Sequence, residues 1–181
     1  IAITGGEPFL YPDFIELINT MSENHSVEVV TNLSWPVKNM ISKIQPSKIK
    51  IHQSFHPLFS DFSEFVEKLS ILKKNGFPGN PSYVAWPGQI SDIPYYAKRF
   101  KEYGINMFVQ PFFGEYKGAR YPDSYSKLER EIIMPYLGER GGKPLQTTAY
   151  PTKGKLCFAG SIYAVIHPDG NVLRCGGINS S

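Results

Sequence analysis

The sequence predicts an α/β protein built around a parallel sheet, and three observations carry that expectation. Short apolar runs of β character alternate with amphipathic stretches of helical period over residues 1–137. Of the 181 residues, 41% are hydrophobic and 14% aromatic against 19% charged, a composition that supplies a core and excludes a disordered chain, a coiled coil or a charged tail. The runs break at Asn32, Gly104 and Pro111, residue types that end helices and strands.

The first strand, Ile1–Thr4, runs into Gly5-Gly6-Glu7-Pro8. Pro12 suits the first turn of the helix that follows, and Phe14, Leu17, Ile18 and Met21 predict its buried stripe. Val27–Thr31 is the second strand, and Pro36 opens a shorter helix with Val37, Met40, Ile41 and Ile44 inward. Lys48–Ser54 is the third strand. Asp61 and Glu64 then resemble a capping box before a helix carrying Phe62, Phe65, Val66, Leu69 and Leu72, with Lys73, Lys74 and Gly76 suited to its end. Tyr83–Trp86 is a strand, Ser91 starts a helix with Ile93, Tyr96, Ala97 and Phe100 inward, and Ile105–Gln110 is the next strand. An aromatic loop, residues 112–125, leads to a helix over Ser126–Leu137 with Leu128, Ile132, Ile133 and Tyr136 inward. Residues 138–155 read as a Gly/Pro/Lys-rich linker. Ser161–Ile166 and Asn171–Arg174 flank Asp169-Gly170, a hairpin signal.

Strands joined by helical crossovers make a parallel sheet, and helices on one face favour a curled sheet or partial barrel. In either form ligands bind at the C-terminal ends of the strands. Those ends are Thr4-Gly5-Gly6-Glu7, Thr31-Asn32, Ser54-Phe55-His56, Trp86-Pro87 and Gln110-Pro111. His52 alternates with Ser54 and reads as a satisfied core histidine; His25 and His167 fall in a loop and a turn. Phe112, Phe113, Tyr116, Tyr121 and Tyr125 either line a substrate mouth or pack beneath the long loop.

Nineteen basic against sixteen acidic residues give +3, with Lys98-Arg99 and Lys101 as the densest cluster. So weak and dispersed an excess argues against a nucleic-acid partner. No apolar run nears the roughly 18 residues of a membrane span and no signal-peptide pattern occurs, so no membrane partner and a cytoplasmic location are expected. Cys157 and Cys175 are too few for a disulfide scaffold; one disulfide, two free thiols or a shared metal site are the alternatives. The chain opens at Ile1 inside an apolar run and stops at Ser181 without closing an element, so a piece of a longer protein is expected.

Gly5-Gly6-Glu7-Pro8 is the strongest chemical signal. Two glycines allow a sharp turn that brings backbone carbonyls close to a ligand, a carboxylate beside them receives an ammonium group, and Pro8 stiffens the turn. Thr4 to Pro8 with Phe9-Leu10 resembles the GGEP motif of radical S-adenosylmethionine enzymes. Val30-Thr31-Asn32, Ile51 to His56 and Val109-Gln110-Pro111 are similar, in order and spacing, to that family's later strand ends. The resemblance implies a partial (β/α)6 TIM-like barrel over residues 1–137, here lacking its first strand. It also implies that Gly5, Gly6, Glu7 and Pro8 bind the methionine ammonium of S-adenosylmethionine. Asn32, Ser54 and His56 would then face its ribose or carboxylate, and Gln110 its adenine side.

Cys157, then Gly170, then Cys175, enclosing Ile166-His-Pro-Asp-Gly-Asn-Val172, is similar to the opening of the SPASM/twitch extension. That resemblance implies that residues 156–181 begin a small β-hairpin extension whose Cys157 and Cys175 ligate an auxiliary iron–sulfur cluster. Ile178 stands where a full SPASM domain has a further cysteine. The chain also lacks the Cys-x3-Cys-x2-Cys segment that holds the family's 4Fe–4S cluster, which implies that an isolated chain is inactive. For the whole protein the resemblance implies an oxidoreductase that reductively cleaves S-adenosylmethionine to a 5′-deoxyadenosyl radical for hydrogen abstraction. The substrate would be a peptide or protein side chain, and flavodoxin or ferredoxin the electron donor. A non-radical (β/α)-barrel enzyme and a non-catalytic module with a cysteine-based metal site are the alternative readings.

Overall fold

A computed structural model describes residues 1–140, 143–149, 154–157, 159–161, 163–167 and 169–174. The chain divides into two units, Ile1–Ala149 and Tyr150–Ser181.

The first unit is a mixed α/β body around five strands, β1 (Ala2–Ile3), β2 (Val27–Thr31), β3 (Ile49–Phe55), β4 (Ser82–Ala85) and β5 (Phe108–Pro111). They stand in the sheet in chain order, and every pairing is parallel. Between them run α1 (Phe14–Ser22), α2 (Val37–Met40), α3 (Phe62–Lys74) and α4 (Ile93–Glu102). Each crossover moves one place in the same direction, so right-handed connections put all the helices on one face. Burial agrees. Val27 and Val29 pair with Ile49 and Ile51 and share one core with Ile18 of α1 and Leu69 of α3. The alternate positions Glu28, Val30, Lys50 and His52 lie on the opposite face, exposed or half-exposed.

Aromatic side chains hold the helical layer to the sheet. Phe55, 1% exposed, meets Phe65, Tyr96 and Phe100 with ring centroids 5.0–5.2 Å apart. Arg99 lies 4.0 Å over the Phe62 ring, a cation–π contact at the edge of that cluster.

Several helix stripes differ in phase from the periodicity. In α1, Phe14, Ile15 and Ile18 are buried while Leu17 is 45% exposed. The helix starts only at Phe14, after Asp13 at φ 57°, so Pro12 precedes it, and Pro8 instead opens the 3-10 turn Pro8–Leu10. The Asp61 side chain caps α3 by accepting from Glu64 N at 2.8 Å, but Glu64 reaches forward to Lys68 at 2.6 Å. The reciprocal capping box forms instead at Ser126 and Glu129 of α5 (Lys127–Ile133), where Leu128 is 67% exposed.

After β5 the chain makes a hairpin the periodicity missed, β6 (Gly114–Tyr116) with β7 (Ala119–Tyr121). Lys117 and Gly118 turn it at φ 50° and 74°, the paired positive values of a tight hairpin. Beyond α5, Leu137 bridges Val109 in parallel sense, and Gly138 N donates to Val109 O at 2.9 Å. The β–α progression thus reaches a sixth position beside β5. Residues 143–149, within the stretch read as a linker, belong to this unit. β9 (Lys143–Pro144) pairs with β8 (Glu139–Arg140), and Arg130 donates to Thr147 O and, at 2.7 Å, to Asp123 O.

Of the five loop aromatics, Tyr125 is buried and packs, while Phe113 is 60% exposed. The buried Tyr125 hydroxyl donates to Ala85 O at 2.6 Å and accepts from Phe112 N at 2.8 Å, tying the exits of β4 and β5 together. Burial pushes its phenol up to about 12. Tyr125→Phe keeps the ring but strands both backbone groups, so it is expected to cost about 2–3 kcal/mol, read by urea unfolding; a change below about 0.5 kcal/mol would count against the tie.

In the second unit, β10 (Val165–Ile166) pairs antiparallel with β11 (Val172–Leu173), so the Asp-Gly hairpin forms. Asp169 accepts from Asn171 N at 2.9 Å, which holds its carboxyl below the usual range. Cys157 is exposed, and Cys175 lies outside the described residues.

Candidate functional site

The exits of β1 and β2 meet at Glu7. Gly5 and Gly6 leave β1 at φ 105° and 52°, backbone that L side chains rarely adopt. A Cβ on either would meet no heavy atom within 4 Å. Glycine is needed there for chain direction, and the space above the turn is open.

Glu7 is half-buried and bonded on both carboxylate oxygens. Oε2 accepts from Thr31 Oγ1 at 2.7 Å and from Asn32 N at 2.9 Å, while Oε1 accepts from Phe9 N at 3.2 Å. A carboxylate offers about four acceptor positions, so one on Oε1 remains. The donors explain why the turn folds this way. Pro8 starts the 3-10 turn that points Phe9 N back at Glu7, and Phe9 stacks on Trp35 with centroids 4.0 Å apart. Trp35 Nε1 and Leu33 N both donate to Thr31 Oγ1 at 3.0 Å. Thr31 is therefore the hub that aims Glu7 across the first two strand exits. The sequence reading missed that role; its only signal was a polar residue at a strand end beside a glycine-acid turn.

Asn32 is held by its own backbone bond to Glu7, and its Oδ1 accepts from Ser34 N at 2.8 Å. A cavity of about 130 Å³ opens beside it, lined also by Phe59 and Lys68. Lys68 Nζ donates to Leu33 O at 2.7 Å and holds Leu33 at φ 61°.

Thr31 stands opposite Gln53, so Asn32 and Ser54 are the next positions along neighbouring exits. Ser54 Oγ and His56 Nε2 share a hydrogen bond at 3.0 Å, its direction following the imidazole tautomer. Burial lowers the His56 pKa. The unfolded chain, near 6.5, then takes up a proton at a pH where the folded one does not. Stability is full above about pH 6.5 and falls as pH drops from there toward the folded value. His56→Gln is expected to flatten that acid limb, checked by unfolding free energies at about pH 7.5 and about pH 5.5; an unchanged limb would assign the loss to other groups.

Gln110 lies exposed on β5 opposite Val84; since Ser54 pairs with Ser82 and Ser82 with Phe108, it stands level with the position of His56, two inter-strand steps from β3, about 10 Å along the sheet at about 4.8 Å each. His52 is not a core histidine. The β-register places it on the helix-free face, half-exposed, with Nε2 3.4 Å from Glu28 Oε2; the Lys50 hydrogen bond at 3.2 Å and the Lys50 charge, with His52 adjacent, hold the Glu28 carboxyl below its usual range. Thus Gly5, Gly6, Glu7, Pro8 and Asn32 form one contiguous group and Ser54 and His56 a pair on the adjoining strand. Among the described residues no group of three or more His, Cys, Asp or Glu is placed to hold a metal ion, and no helix is long and apolar enough to cross a membrane.

No protein-family model matches this chain, and no curated protein matches it with significant similarity.

Proposed function

We propose that this chain is the S-adenosylmethionine-binding portion of a radical S-adenosylmethionine enzyme. One observation carries the reading: an open glycine turn at a strand exit, with a carboxylate locked beside it and one acceptor position left. The fixed donors on Glu7 keep its carboxylate aimed, and the space above Gly5 and Gly6 admits a ligand to their backbone. The strand order and the Val109–Leu137 bridge support a sheet that curls toward a partial (β/α)6 barrel.

In this reading Glu7 and the Gly5–Gly6 backbone hold the ligand's ammonium, and Pro8 keeps the turn rigid. Asn32, Ser54 and His56 offer polar groups at the next two exits to its ribose or carboxylate. Gln110 would reach the ligand only if the sheet curls. Held there beside a reduced 4Fe–4S cluster, S-adenosylmethionine would supply radical chemistry, one-electron cleavage of its C5′–S bond with release of methionine, for removing a hydrogen atom from the substrate. Cys157 and Cys175 are the candidate ligands for an auxiliary cluster.

The test is anaerobic reconstitution of the product of the complete reading frame that holds this chain, followed by reduction and assay of 5′-deoxyadenosine. The nucleoside is expected from the wild type, and Glu7→Ala is expected to lower S-adenosylmethionine affinity at least about tenfold, since a charge-assisted bond is lost. No nucleoside, or unchanged affinity in Glu7→Ala, overturns the reading.

A further inference from the structure

A cavity of about 280 Å³ lies away from the strand exits. Its wall on α4 is a stripe of Pro94, Ala97, Lys98 and Lys101, spaced as one face of a helix. Ile105 and Met107, buried where the chain leads into β5, form an apolar floor. Tyr136, from the turn after α5, closes the far side. The cavity is thus at the N-terminal end of β5, whereas Gly5–Glu7 and Ser54–His56 are at C-terminal ends.

Its polar groups are two cations and two neutral side chains. Lys101 Nζ donates to Asn106 Oδ1 at 3.1 Å, which fixes that ammonium at the rim. Among the described residues neither Lys98 nor Lys101 forms an ion pair, although each is one helical turn from the other and repels it. Two unmatched ammonium groups over a buried apolar floor complement a ligand with a flat apolar body and one acidic group. The volume falls just below the roughly 300 Å³ at which small-molecule pockets start.

We propose that the cleft between α4 and the Tyr136 turn binds a small organic anion, its apolar body against Ala97, Ile105 and Met107 and its acid group between Lys98 and Lys101. The site is independent of the strand-exit site and does not rest on the radical reading.

Anilinonaphthalene sulfonate is the probe, titrated by fluorescence into the 181-residue chain. One dominant site is expected, with affinity reduced at least about tenfold in Lys98→Glu/Lys101→Glu as two charge-assisted contacts go, and reduced less in Lys98→Gln/Lys101→Gln. Lys38→Glu/Lys48→Glu changes net charge equally on another surface and is expected to bind like the wild type. Phenylnaphthylamine, which lacks the acid group, and sulfate, which lacks the apolar body, are each expected to bind far more weakly. Absence of probe binding, equal losses in the two charge-reversal variants, or equal binding of the neutral amine would overturn the proposal.

Discussion

Phe55→Ala is expected to cost about 4 kcal/mol of folding free energy, the middle of the range for emptying a phenylalanine site in a core. Phe55 ends β3 at the place where α3 and α4 meet the sheet, with Phe62, Phe65, Tyr96 and Phe100 edge-on around it. Those rings belong to two helices and cannot all collapse inward, so a cavity remains and adds to the lost transfer energy. Against a usual total of about 5–15 kcal/mol, the variant should unfold at much lower urea concentration. Phe113→Ala, at a side chain 60% exposed, should stay within about 0.5 kcal/mol of the wild type. A Phe55→Ala cost below about 1 kcal/mol would show that this cluster is not the keystone of the helical layer.

The second large effect is at Thr31. Thr31→Val preserves shape and burial but removes the oxygen that accepts from Leu33 N and Trp35 Nε1 and donates to Glu7. Two N–H groups in a site 1% exposed then lack an acceptor, each costing about 1–3 kcal/mol, so a loss of about 3 kcal/mol is expected in urea unfolding. Thr31→Ser restores the hydroxyl and should recover most of it. If valine and serine behave alike, the hydroxyl is not the hub, and Glu7 is aimed by Asn32 N and Phe9 N alone.

These two sites differ in how they could be read from the chain. Phe55 belongs to a patterned run, Ile49-x-Ile51 with aromatic residues ahead in the next helix, so its burial follows from periodicity and the hydrophobic effect. Thr31 is one polar residue at a strand end, where most such residues only form turns. Its role exists because β1 and β2 are neighbours and Pro8 directs Glu7 sideways, contacts 24 and 25 residues apart in sequence.

Local pattern alone determined the alternation of strands and helices in residues 1–111, the capped start of α3, the Asp-Gly hairpin and the glycine-acid turn, because each depends on neighbours within a few residues. The phase of α1 and α5 and the exposure of His52 were decided by tertiary structure. Which side of a helix is covered depends on where the sheet lies, and which side of a parallel strand is wet depends on where the helices pack. The pairing of Lys98 and Lys101 over a buried floor belongs to the same class: the charges are written in one helix, but Met107 and Tyr136 reach them only through the fold.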